Sequence, residues 1–180
     1  MTITPSDVVA FWKEAGPKMW FARDEAFDAR FRARFAAAHE AAARGELDQW
    51  AETPEGSLAL LILLDQFPRN VFRGQARAFA TDPLARQVAA RAVYAGHDEA
   101  VDNDLKRFFY LPFQHSEALA DQERQLALFQ RMERPADDRW AEHHHRVIAT
   151  FGRFPHRNRA LGRETTPEEQ AFLDQDGFRG

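Results

Sequence analysis

Residues 151–163, FGRFPHRNRALGR, hold Arg153, Arg157, Arg159, Arg163 and His156 with no acid among them, in a chain whose formal net charge is −4. Guanidinium groups gathered in this way serve an internal carboxylate, a bound anion, or both, since each fork matches two carboxylate or phosphate oxygens. DQFPRN at 65–70 is a kindred string, with Phe-Pro followed by Arg-Asn. Each string follows an expected helix end and offers donors beside an aromatic, Arg69 and Asn70 in one, Arg157 and Asn158 in the other. Arg159 and Arg163 read as solvated or capping, with the alternative that Arg163 closes an anion site.

Three helices aim polar groups where apolar ones belong. A helix expected from Leu111-Pro112 to before Pro135 carries its apolar stripe at Leu119, Leu126 and Phe129, and at 100° per residue His115 and Gln122 fall on that stripe. In the next helix, from Pro135 through Phe151, the stripe is Trp140, Val147, Ile148 and Phe151; His144 lies near its centre and His145 points away. Asp65 shares a face with Leu58, Leu61 and Ile62 in a helix that is otherwise apolar. Burying one polar group without a partner costs about 1–3 kcal/mol. Four would remove most of a domain's typical net stability of about 5–15 kcal/mol. Asp65, His115, Gln122 and His144 are therefore expected to meet and to share hydrogen bonds with the arginines around a small polar cavity.

Each of these groups has a structural alternative. Asp65 salt-bridged to Arg69, Arg153 or Arg157 would be a lock, and His115 and His144 would be hydrogen-bonded core histidines. Glu117, in the first turn of its helix, reads as a capping carboxylate as well as an acid catalyst. The triplet at 143–145 does not converge on one ion, because consecutive helical residues diverge, so no metal site is assigned. No phosphate-binding Gly-rich loop or Gly-x-Ser-x-Gly elbow occurs. Ser116 lies between His115 and Glu117, yet neighbours 100° apart do not make a triad.

The elements that must position these side chains are all helical. Thr4-Pro5, Thr53-Pro54, Asp82-Pro83 and Thr166-Pro167 are helix-opening pairs. Gly16-Pro17 closes the first helix. Phe27, Phe31 and Phe35 mark a second, over about 24–44, with Gly45 as its C-terminal cap. LALLILL reads as a central helix apolar on every side, ended by Pro68. Asp82 opens a helix through Tyr94 that closes at Gly96, and a last short one follows Thr166. No segment alternates at period two. The expected architecture is all-α, one helical domain over 1–180, with helix hairpins packed around the central apolar helix.

Composition narrows the function. At 180 residues, 44% hydrophobic and 29% charged, the chain is an ordinary globular one. Its acidity argues against a nucleic-acid partner. The absence of cysteine excludes disulfides and thiolate metal sites and suits a reducing cytoplasm. The start lacks a signal-peptide pattern, and the longest apolar run, 58–64, is too short to span a bilayer.

The strings LALLILLDQFPRNVFRG, FFYLPFQHSEALADQE and FGRFPHRN, with VVAFWKEAGPKMWFARDEAFD before them and TTPEEQAFL after, closely resemble the bacterial family catalogued as domain of unknown function 924. The resemblance implies a tetratricopeptide-like fold of antiparallel helix hairpins, and no assigned activity. Matching positions are Asp65, Gln66, Arg69, Asn70 and Arg73; then His115, Ser116, Glu117 and Gln122; then His144, Arg153, His156, Arg157, Asn158 and Arg163. In this chain HHHRVIAT replaces the more usual His-Arg-Asp run, so the acid expected around Arg146 is missing. Three functions follow as expectations. The first is a pocket for a small anionic or polar molecule, with His115, His144, Asp65 and Glu117 as candidate acid–base groups, the other matched residues apart from Ser116 as ligand donors, and no cofactor. The second is a protein- or peptide-binding scaffold, which requires exposed aromatics near Trp12, Trp20, Phe72 and Phe109. The third is a purely structural buried network.

Overall fold

The computed structural model describes residues 3–132 and 139–176, and among them every regular element is helical. The helix beginning expected at Pro135 lies outside the described residues. No helix among them is long and apolar enough to cross a membrane.

Helix α1 (Pro5–Ala15) begins with a capping box, in which Thr4 accepts from the Asp7 N–H at 3.3 Å and Asp7 accepts from the Thr4 N–H at 2.9 Å. A short turn, α2 (Pro17–Trp20), follows the Gly16 stop. In α3 (Glu25–Ala43) the Asp24 carboxylate caps the Phe27 N–H at 2.7 Å. Its Phe27, Phe31 and Phe35 are buried, and Gly45, at φ +77°, lets the chain turn out of the helix end. Thr53 caps α4 (Pro54–Leu61), whose Gly56 sits so close to Trp50 that a Cβ would stand 2.0 Å from the Trp50 carbonyl oxygen.

Every side chain of 58–64 is at most 2% exposed. Burial worth about 1.5–3 kcal/mol per large aliphatic residue makes this segment the axis of the core. Helices α1, α6 (Asp82–Tyr94) and α7 (Asn103–Gln114) pack on α4, and α3 packs on α5 (Phe67–Val71). Phe31 meets Phe67 edge-on at 5.0 Å, and Trp12 meets Phe108 edge-on at 5.4 Å, joining α1, α3, α5 and α7 through rings.

Pro68 does not end the central helix. Residues 62–66 form one widened π turn, closed by the Phe67 N–H on the Ile62 carbonyl, and the chain continues as α5 with Pro68 in its first turn. A proline has no N–H, so the Leu64 carbonyl four residues earlier lacks its usual helical partner. The Thr81 hydroxyl supplies one at 2.5 Å, and Nδ1 of His39 meets the neighbouring Leu63 carbonyl at 2.9 Å. Burial pushes the pKa of His39 down, keeping that ring neutral.

Nor does Pro112 open a helix. It lies inside α7, where its cost of about 3 kcal/mol is offset by burial of Phe108, Phe109, Leu111 and Phe113. The next helix, α8 (Leu119–Phe129), buries Gln122, Gln125, Leu128 and Phe129, whereas Leu119 is 43% exposed. In α9 (Arg139–Phe151) the buried stripe is Ala141, His144, Val147 and Ile148, and Trp140 is 58% exposed. Val147, Ile148 and Phe154 form a separate small apolar cluster with Phe151 and Phe172 of α11 (Pro167–Asp176). A single turn, α10 (Asn158–Leu161), connects these parts. Polar side chains fill the junction between this satellite and the main core.

Candidate acid–base site

Asp65 leaves the π turn fully buried and becomes the hub of that junction. Its Oδ1 accepts from Nδ1 of His115 at 2.8 Å and lies 3.1 Å from Arg69, while Oδ2 accepts from the Gln66 amide at 2.6 Å. Burial alone would raise this carboxyl's pKa; Arg69, His115 and the Gln66 hydrogen bond outweigh it and hold the pKa at about 2. An ionised carboxylate only accepts, so His115 carries its proton on Nδ1. His115 closes α7 at its C-cap rather than standing in α8, and Asp65 reaches it from the central helix.

Burial and the Arg69 charge push the pKa of His115 below its ordinary value, against the pull of Asp65. Its Nε2 makes no hydrogen bond among the described residues, and the side chain is 13% exposed. The His144 ring centre lies 6.3 Å away. Nδ1 of His144 donates to the Trp140 carbonyl at 2.7 Å, and burial, with the neighbouring His115, pushes its pKa down to about 3. His156 is held at about 3 as well, by burial and by Arg157. Both rings flank Phe154, at 5.4 and 5.5 Å.

The two Phe-Pro strings do meet, on a residue that periodicity does not single out. Asp82 accepts a fork from Arg69, at 2.8 and 3.0 Å, and a further hydrogen bond from Arg157 at 3.4 Å. Arg157 also donates to the His115 carbonyl at 2.9 Å and lies over the rings of Phe79 and Phe154 at 4.6 and 4.5 Å. Burial and the adjacent Arg69 lower the Arg157 pKa to about 10. Its Nε is buried and has no hydrogen-bond partner among the described residues.

The remaining candidates divide among other tasks. Gln122 does not share bonds with guanidinium groups; its amide caps the end of α7, donating to the Gln114 and Ser116 carbonyls at 2.7 Å each. Glu117 accepts from the Phe154 N–H at 2.8 Å and takes a fork from Arg163 at 2.8 and 3.0 Å, the capping alternative in a longer-range form. Arg153 and Asn158 both donate to the buried Glu169, at 2.5 and 3.0 Å. Ser116 joins Arg86 and Asp121 at 2.9 and 2.6 Å. Asn70 and Arg73 turn away from the junction towards Asp28 of α3, at 2.9 and 3.1 Å. Among the described residues no three His, Asp or Glu side chains are grouped as ligands for one metal ion.

Asp82, Asp28 and Glu169 are the partners that sequence reasoning missed. Helical arithmetic aligns residues within one helix; it holds no signal for a carboxylate that meets an arginine from a different element. Asp82 was legible only as part of a helix-opening Asp-Pro pair.

These features define a helical protein with a buried Asp–His pair set in an arginine–carboxylate network. The family model described as a bacterial protein of unknown function (DUF924) matches residues 8–177, and the chain belongs to that family. It is also similar to a solved structure of a protein of unknown function from Agrobacterium tumefaciens, with 54% identity over 95% of this chain and 97% of that one, and a TM-score of 0.90. No curated protein matches the chain.

Proposed function

We propose that the Asp65–His115 pair is an acid–base centre for a small polar molecule, acting without a cofactor. The observation that carries this reading is the division of the His115 ring: Nδ1 is fixed on a buried carboxylate, while Nε2 is uncommitted among the described residues, on a side chain that is 13% exposed. Such a pair presents a lone pair in a set direction, and Asp65 stabilises the imidazolium that forms when Nε2 takes a proton. The unpartnered Nε of Arg157 adds a donor nearby. Charge favours a neutral polar molecule over an anion here, since Asp65 and Asp82 already balance Arg69 and Arg157.

The structural-lock reading draws on one specific observation, that the forks of Arg69, Arg153 and Arg163 are each closed on a protein carboxylate. The scaffold reading, with its tetratricopeptide-like concave surface, is weaker. Trp12, Trp20, Phe72 and Phe109, around which it requires exposed aromatics, are themselves buried, although Phe21 beside Trp20 is 57% exposed.

A thermal-shift panel of neutral and anionic metabolites on the wild type and on His115→Gln separates these readings. An acid–base pocket predicts compounds that raise the wild-type melting temperature and lose that effect in the variant. If no compound acts, and His115→Gln changes only the melting temperature of the free protein, the lock reading stands instead.

A further inference from the structure

A cleft of about 450 Å³ opens between the start of α3, with the loop before it, and the C-terminal end of α5, lined by Arg23, Glu25, Asp28, Arg32, Asn70 and Arg73. Its charges do not cancel. Arg73 and Asn70 are committed to Asp28, which neutralises one guanidinium. Arg32 has no carboxylate partner among the described residues; it donates to the Val71 carbonyl at 2.5 Å and rests 5.7 Å from the Phe72 ring centre. Among the described residues Arg23, exposed on the loop before α3, makes neither an ion pair nor a side-chain hydrogen bond, and of the two acids lining the cleft Glu25 is left unpaired. Two unmatched cations against one unmatched acid give this wall a net positive charge on a chain of net −4.

We propose that this cleft is a second binding site, separate from the His115 centre, for a small molecule bearing a carboxylate or phosphate group. Arg32 is the anchor. One of its terminal nitrogens is held by the Val71 carbonyl and its plane is steadied by Phe72, so the rest of the fork is pre-set for a two-oxygen acceptor. Arg23 closes on the same anion from its loop, and the mutual repulsion of the two cations is relieved when the anion binds. Asp28, one helical turn before Arg32 on α3, is tied across the cleft to Arg73 and Asn70, so its charge is already engaged when the ligand binds.

The test is a titration of the full chain with inorganic phosphate and, separately, with succinate, following the backbone amide signals of Asn70, Val71 and Ala33 by NMR at constant ionic strength. A saturable shift is expected with at least one probe, and which probe acts distinguishes phosphate from carboxylate recognition. Arg32→Gln and Arg23→Gln should each weaken binding about tenfold, as loss of a charge-assisted contact does. Arg91→Gln and His115→Gln should leave it unchanged. Should Arg32→Gln fail to fold, Arg23→Gln, on an exposed loop, decides alone. No saturable shift with either probe, or an identical shift in the arginine variants, overturns the proposal.

Discussion

Arg69 and Arg157 share the carboxylate of Asp82, Arg69 as a two-bonded fork and Arg157 through one longer hydrogen bond. Two guanidinium groups from strings more than eighty residues apart are thereby brought side by side in the interior. The acid between them, together with Asp65 at 3.1 Å from Arg69, makes that placement tolerable.

Asp82→Ala should therefore be among the most damaging single changes in the protein. Removing one member of a buried ionic cluster leaves its partners unpaired, at a cost of about 3–5 kcal/mol. Urea unfolding monitored by circular dichroism is the measurement. A loss below about 1 kcal/mol would mean that Asp82 does not hold the junction.

Acid should unfold the protein through its histidines before its carboxylates. His144 titrates at about 3 in the native state, against 6.5 for an ordinary imidazole. Between those values the unfolded chain binds the proton and the native state does not, so stability is full above pH 6.5 and falls progressively as pH drops towards 3. The full span is worth up to about 5 kcal/mol for this ring. Asp65, held at about 2 against 3.8, loses its own contribution between those values, at the acid end of that window and below it. Melting temperatures between pH 7 and 4 should fall steeply in the wild type and more gently in His144→Gln; equal slopes would contradict the assignment.

Glu117 pins the satellite cluster to the main body through the Phe154 N–H and Arg163. Glu117→Ala should raise the hydrogen-exchange rate at the Phe154 amide by at least about tenfold, the equivalent of about 1.4 kcal/mol of lost local protection. Exchange at Leu61, deep in the central helix, should respond less. Equal changes at both sites would show that the two clusters open as one unit.

Much of this was legible in the sequence, for identifiable reasons. The capping pairs at Thr4, Thr53 and Thr166, and the Phe27, Phe31, Phe35 stripe, are local signals that the structure reproduces. Asp65 and His144 point inwards as helical arithmetic requires. His115 was placed on the wrong helix, because Pro112 reads as a beginning when its six-residue apolar surroundings in fact hold it inside α7. Its meeting with Asp65 nevertheless holds, because a buried carboxylate must find a donor wherever one ends nearby. The split between Arg69, turned to Asp82, and Asn70 and Arg73, turned to Asp28, had no sequence signal. It depends on the direction in which the chain leaves the π turn.

The widened turn at 62–66 therefore acts as a phase adjuster for everything after it. Were that turn to tighten into an ordinary helix with the residue count unchanged, the following side chains would swing by about 100° and advance by about 1.5 Å. Arg69 would swing off Asp82, and Asn70 off Asp28, in the same stroke. Both the surroundings of the Asp65–His115 pair and the cleft beside α3 are keyed to a single extra residue in the backbone count.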